Sequence, residues 1–128
     1  MTALAPTPAE LAILRVLWRR GPSTVRAVHE AVYARTETGY TSALKLLQNM
    51  LAKGLVSRAE DARQHVYAAA VSERPTLNRL VSGWMDSAFA GSSLALAMQA
   101  LDARPVDPDE LAQLKAMIAK LEAGTGGS

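Results

Sequence analysis

Apolar residues recur every three or four positions at the start of the chain, which is the spacing of one face of an α-helix. The first stripe consists of Leu11, Leu14, Leu17 and Trp18. The motif TPAE at residues 7–10 precedes it and predicts a capping box at the helix N-terminus. Gly21 and Pro22 follow the stripe and end the helix.

Two more helices follow in the pattern. The second begins after Ser23, which is predicted to cap it, and its apolar positions are Val25, Val28, Ala31 and Val32. The third is predicted from about Thr41 to Lys53. Its apolar stripe is Leu44, Leu47 and Leu51, with Met50 beside it. Gly54 stands where a left-handed C-cap is expected.

The apolar period then changes from that of a helix to that of short strands. Residues 55–58 and 65–68 are predicted strands, and the polar segment 59–64 joins them as a β-hairpin. Three short helices followed by a hairpin are typical of a winged helix-turn-helix domain. We therefore predict a mainly α fold with a small β-hairpin.

Beyond Ser72 the pattern is helical again. Its apolar positions are Leu77, Leu80, Val81, Trp84 and Ala88, then Leu94, Ala97, Met98 and Leu101, then Leu111, Leu114, Ile118 and Leu121. The motif DPDE at 107–110 is a second capping signature. We predict a winged-helix DNA-binding domain at 1–73, a helical dimerisation domain at 74–123 and a flexible tail at 124–128.

Charge separates the two halves of the chain. Residues 1–79 carry 11 Lys and Arg against 6 Asp and Glu, a net charge of +5, whereas residues 80–128 carry 3 against 6, a net charge of −3. A basic first half favours contact with an anionic partner. An apolar, acidic second half favours self-association. A helical tail of about 50 residues with this many leucines cannot bury them alone.

The composition excludes several classes of protein and site. There is no cysteine, so disulfides and thiolate chemistry are absent, and His29 and His65 lack metal-ligand spacing. No apolar run is long enough for a membrane span, and no signal peptide is predicted. The absence of cysteine is consistent with a reduced, cytoplasmic setting. We find no motif of a phosphate loop, a nucleophile elbow or a zinc protease. We predict no enzyme activity, no catalytic residue, no metal site and no cofactor.

The third helix is the predicted reader of DNA because it combines an apolar rear with a hydrogen-bonding front. A major groove accepts one helix, whose N-terminal turns face the base edges. The predicted DNA-binding residues of the helix and hairpin are Tyr40, Thr41, Ser42, Lys45, Gln48, Arg58, Arg63 and His65. There are two alternatives. The polar face of the third helix is simply solvated, or the winged helix binds protein instead of DNA. His29 is predicted to be a partly buried structural residue.

The segment TPAELAILRVLW at 7–18 resembles the opening helix of the BlaI/MecI/CopY penicillinase-repressor family. The segment YTSALKLLQNMLAKGLV at 40–56 is similar to its recognition helix and first wing strand, and HVY at 65–67 to its second strand. The resemblance implies a homodimeric repressor that binds a dyad operator in front of β-lactamase or related antibiotic-resistance genes. It also implies a membrane-bound sensor metalloprotease whose action leads to cleavage of the repressor.

The implied dimer interface lies in the C-terminal helices. Its predicted residues are Trp84, Leu94, Met98, Leu101, Leu111, Leu114 and Ile118. The β-lactamase branch of the family has an Asn-Phe cleavage pair where this chain has Ala97-Met98, so cleavage at that bond is not predicted. The copper-responsive branch has a C-terminal cysteine pattern that this chain lacks.

Overall fold

A computed structural model describes residues 5–33 and 39–126. In chain order the elements are α1 (Pro8–Arg20), β1 (Ser23–Thr24), α2 (Val25–Tyr33), α3 (Tyr40–Lys53), β2 (Val56–Asp61), β3 (Gln64–Ala69), α4 (Glu73–Ala88), α5 (Ser93–Ala103) and α6 (Pro108–Gly126). The chain divides into a first unit, residues 1–82, and a second unit, residues 83–128. The predicted domain boundary lies at the start of α4, and this division falls within that helix.

The predicted capping box of α1 is present. The Glu10 backbone N–H donates to Thr7 Oγ1 over 3.2 Å, and the Thr7 N–H donates to Glu10 Oε1 over 2.9 Å. These reciprocal bonds satisfy two donors that a helix start leaves unpaired. Glu10 is also buried, and its Oε1 accepts a second bond, over 2.8 Å, from Lys53 Nζ at the end of α3.

The start of α2 differs from the prediction. Ser23 does not cap the helix, because it lies in β1 opposite Tyr67 of β3 and its hydroxyl donates to the Gly21 carbonyl. Thr24 caps α2 instead, since its Oγ1 accepts from the Ala27 N–H over 3.2 Å. The sheet therefore has three antiparallel strands in the order β1-β3-β2, and the sequence predicted only two.

The hairpin is longer and tighter than predicted. β2 and β3 pair from Val56 opposite Ala69 to Asp61 opposite Gln64, so most of the predicted polar linker is strand. Only Ala62 and Arg63 connect them, with φ angles of 49° and 71°. Positive φ at both residues is the mark of a type I′ turn, whose twist matches that of the flanking strands.

One hydrophobic core holds the first unit together. It joins residues from α1, α2 and α3 to the first residues of the hairpin and to Tyr67 of β3; its members are Ile13, Leu14, Leu17, Val25, Val28, Ala43, Leu47, Met50, Leu55, Val56 and Tyr67. Helix α3 buries positions 43, 47 and 50, which follow each other at helical spacing. Gly54 ends α3 in the predicted left-handed conformation, with φ 81°.

The second unit contains α5, α6 and the end of α4. Ser92 caps α5 by accepting from the Ala95 N–H, and Asp107 and Glu110 form the predicted capping pair of α6. None of residues 83–124 is buried. Helix α6 continues to Gly126, which lies within the segment predicted as a tail. No helix in the described part of the chain is both long and apolar enough to cross a bilayer.

Candidate nucleic-acid interface

The exposed face of α3 carries the polar residues that the sequence singled out. Thr41, Ser42, Lys45 and Gln48 are all exposed, whereas Leu47 on the rear of the helix is completely buried. Since the core fixes the rear, the helix presents one defined hydrogen-bonding face. Gly39 is the N-cap residue of α3, and no side chain bonds to the cap.

The start of α2, the start of α3 and the tip of the hairpin meet at one groove. The groove has a volume of about 470 Å³ and is lined by Thr24, Val25, Arg26, Tyr40, Leu44, Arg63, Gln64 and His65. Three of these residues, Tyr40, Arg63 and His65, were predicted from the sequence to contact DNA. The fold therefore brings the beginning of α3 and the tip of the hairpin into one surface, which we call the reading surface (the polar face of α3 together with this groove).

Arg26 is the residue that sequence reasoning missed. It is exposed on the first turn of α2, and it joins Arg63 of the wing on the same groove. Neither arginine has a carboxylate partner within residues 5–33 and 39–126. The place of Arg26 on this groove could not be predicted from the local sequence, because Arg63 on the same groove lies almost 40 residues further along the chain.

Arg58 and His65 lie in less favourable surroundings for a phosphate. Arg58 is exposed on β2 opposite Tyr67, and it does not line the groove. His65 pairs with Glu60 across the hairpin, and the neighbouring pair is Asp61 with Gln64. Directly opposite strand residues project on the same face of a sheet, so a carboxylate stands beside the imidazole. Arg63, in contrast, lines the groove and has no acidic residue opposite it in the ladder of the hairpin.

Aromatic contacts connect α2 to the beginning of α3. The ring of His29, which is half-buried as predicted, lies 6.2 Å from the ring of Tyr33 and 6.4 Å from that of Tyr40, in each case between centroids. Tyr40 remains 49% exposed. The tyrosine is held on one side by the histidine, and its open side belongs to the groove.

A family model described as penicillinase repressor matches residues 6–120. The chain belongs to the penicillinase repressor family. Its curated relatives include the transcriptional regulator BlaI of Mycobacterium tuberculosis, in the CDC 1551 / Oshkosh and H37Rv strains. That protein is 37% identical over 121 residues, which cover 91% of this chain and 85% of the relative.

Solved structures of other proteins share the fold of this member of the penicillinase repressor family. The YusO protein of Bacillus subtilis has a TM-score of 0.53 at 19% identity, over 92% of this chain and 75% of YusO. RosR of H. salinarum has a TM-score of 0.51 at 21% identity, over 96% and 99%. The predicted winged-helix architecture is confirmed. Family membership makes the chain a DNA-binding transcriptional repressor, not an enzyme.

Large apolar side chains are exposed in the second unit of this repressor. Of the residues predicted at a dimer interface, Leu114 is half-buried and the others are exposed by 44% to 68%: Trp84, Leu94, Met98, Leu101, Leu111 and Ile118. Met117 and Leu121 of α6 are exposed as well, although the prediction of the interface did not include them. A cleft of about 660 Å³ between α5 and α6 is lined by Leu101, Leu114 and Met117 among others.

Proposed function

We propose that the protein represses transcription as a homodimer bound to a two-fold symmetric operator, with α3 in the major groove and the wing on the flanking backbone. The observation that carries this proposal is the convergence of Arg26, Tyr40 and Arg63 on one groove beside the polar face of α3. Cations at the edges of a reading helix bind phosphates and fix its register, while the helix face reads the bases.

Lys45 is the residue through which the proposal is tested. It is exposed on the second turn of α3, where a lysine reaches the O6 and N7 atoms of guanine. Lys45→Ala is expected to weaken operator binding by about 1–3 kcal/mol if the ammonium contacts a base. Lys120→Ala, which removes the same charge from an exposed site on α6, is the matched control.

The assay is a gel-shift titration at fixed salt against an operator obtained by selection from random DNA. Lys45→Ala should lose affinity for the selected site and keep most of its affinity for random duplex, while Lys120→Ala binds like the parent protein. Equal losses in both variants would remove Lys45 from the reading surface. A parent protein that selects no DNA sequence at all would favour the alternative, a winged helix that binds protein.

We propose that the second unit forms the dimer. Support comes from the size of the uncovered apolar set on α4, α5 and α6, because monomeric proteins rarely leave so many large apolar residues in contact with water. Dimerisation adds the contacts of two reading helices and fixes the spacing of the half-sites. Met98→Asp places a charge among these residues and is expected to shift sedimentation from about twice the 13.6 kDa chain mass to the monomer.

We also propose that repression ends when this pairing is broken. The family resemblance implies β-lactamase or related antibiotic-resistance genes as targets, the cytoplasm as the site of action, and a membrane-bound sensor metalloprotease as the trigger. Ala97 and Met98 are exposed on α5 but are not the Asn-Phe pair of the β-lactamase branch. Terminal sequencing of fragments from induced cells tests this step, and we expect any cleavage to lie at a different bond.

A further inference from the structure

A second basic groove lies between α1 and α2. Its floor is formed by small and branched apolar side chains, its rim by arginines, and its volume is about 310 Å³; the lining residues are Ala12, Arg15, Val16, Arg19, Arg20, Ala31 and Val32. We call it the α1–α2 groove. None of its residues lines the groove of the reading surface.

The arginines of the α1–α2 groove are exposed and have no carboxylate partner in the described parts of the chain, 5–33 and 39–126. Arg19 and Arg20 lie in the last turn of α1, where the helix dipole favours cations. Arg15 lies one turn earlier and repels Arg19, because residues four apart are neighbours on a helix. The dipole therefore does not account for the full set, and an anionic partner would.

The two grooves lie at opposite ends of α2. Val25 borders the reading surface and Ala31 borders the α1–α2 groove, and Ala31 lies six positions after Val25, which is about 9 Å along the helix axis. A molecule in the α1–α2 groove therefore shares no residue with the groove beside the recognition helix.

The chemistry of the lining selects the class of partner. A phosphate backbone needs cations and N–H donors, and it has no use for the strip made by Ala12, Val16, Ala31 and Val32. An amphipathic helix uses both features, since its apolar face covers the strip while carboxylates four residues apart meet Arg15 and Arg19. We propose that the α1–α2 groove docks an acidic amphipathic helix of a partner protein.

The test measures binding of a defined peptide to the full-length protein. The probe is a fluorescein-labelled, 18-residue peptide of Leu, Ala and Glu, with leucines on one face and glutamates at i, i+4 beside them. A scrambled peptide of the same composition is the first control. Fluorescence anisotropy should show saturable binding of the amphipathic probe, and binding of the scrambled peptide at least tenfold weaker.

Charge-reversed and neutral variants locate the site. The variant Arg15→Glu/Arg19→Glu should bind the probe at least tenfold more weakly than the parent protein does. The same variant should bind a peptide in which lysines replace the glutamates. Arg15→Gln/Arg19→Gln is the milder variant if reversal disturbs folding, and Lys115→Glu/Lys120→Glu on α6 is the control for net charge. Equal binding of both peptides, or equal loss in the control variant, overturns the proposal.

DNA is the competing occupant and gives a different result. If the α1–α2 groove bound phosphates, Arg15→Gln/Arg19→Gln would flatten the salt dependence of operator binding by about two phosphate contacts. We expect that slope to stay unchanged while peptide binding falls. A flattened slope overturns docking of a helix at this groove, and it leaves the reading surface intact.

Discussion

The ion pair between Glu10 and Lys53 connects the first turn of α1 to the last turn of α3. The Lys53 ammonium donates to Glu10 Oε1 over 2.8 Å, and the side chains are 3% exposed for Glu10 and 26% for Lys53. Lys53→Met removes the ammonium and keeps the length of the side chain. The Glu10 carboxylate then remains buried with only the bond from the Thr7 N–H.

The expected loss follows from the burial of each partner. Removing one member of a fully buried pair costs about 3–5 kcal/mol, and exposed pairs are worth about 0–1 kcal/mol. Glu10 is buried like a member of a fully buried pair, whereas Lys53 is partly exposed. We therefore expect Lys53→Met to lower the free energy of unfolding by an intermediate amount, about 2 kcal/mol. Glu10→Gln should lose less, because the amide oxygen still accepts from the Thr7 N–H.

The dependence of this loss on pH checks the cause. Burial alone would raise the pKa of the Glu10 carboxyl, but the bonds from Lys53 and Thr7 outweigh burial and hold its pKa below the ordinary value of 4.5. The contribution of the pair is therefore complete above that value and declines as the pH falls through the lower pKa of the folded state. Parent and Lys53→Met stabilities should converge in acid.

Urea unfolding followed by circular dichroism measures these differences at pH 7 and at a series of acidic values. A double variant with Glu10→Gln and Lys53→Met completes the cycle, and it should be less damaged than the sum of the two single variants. A loss below about 0.5 kcal/mol for Lys53→Met, which is the usual range of a surface substitution, would refute the assignment of this pair to the stability of the first unit.

Three further predictions follow from single structural features. Tyr67 is completely buried, and its hydroxyl has no hydrogen-bond partner among the described residues, so Tyr67→Phe should keep or raise stability by up to about 1 kcal/mol in urea unfolding. A clear loss would reveal a bond at that oxygen. Ala62→Asn should raise the free energy of unfolding by about 0.5–1 kcal/mol, because asparagine adopts the left-handed conformation of this turn at lower energy than alanine. The gain should be seen as a higher thermal midpoint. An unchanged midpoint would show that the turn is unstrained. Arg26→Ala should reduce the slope of log K against log salt by about 0.9, the value for one phosphate contact, while Lys120→Ala leaves it unchanged. The same slope in both variants would remove Arg26 from the interface.

Most features that depend on neighbouring residues were predictable from the sequence, although the cap of α2 is Thr24 and not the predicted Ser23. The capping boxes at Thr7 and Asp107 form bonds between residues three apart, so the local motif contains both partners. The start and end of α3 were predictable for the same reason, to within one residue at its start. The stripe itself was only partly right, because Ala43, Leu47 and Met50 are buried while the predicted Leu44 and Leu51 are half-buried. The polar face of α3 followed directly, because a helix with one buried side exposes the other.

Features that depend on distant residues were not predictable. β1 has only two residues and forms by pairing with β3, so no run of strand-forming residues predicts it. The bond between Lys53 and Glu10 spans 43 residues, and neither side chain signals the other. The Ala62-Arg63 turn lacks the Asn-Gly or Asp-Gly signature of a type I′ hairpin, which is why the predicted strands ended too early.

The left-handed turn of the wing connects strain to the proposed function. Alanine and arginine are poor residues for φ angles of 49° and 71°, so the turn is retained against a local energy cost. Asn-Gly would remove that cost, but it would also remove the guanidinium of Arg63 from the groove that Arg26 and Tyr40 share. The residue that suits the turn and the residue that suits a phosphate are different at position 63. Arginine at this position is thus what the proposed DNA contact requires, and the antiparallel pairing of β2 with β3 holds the turn in place.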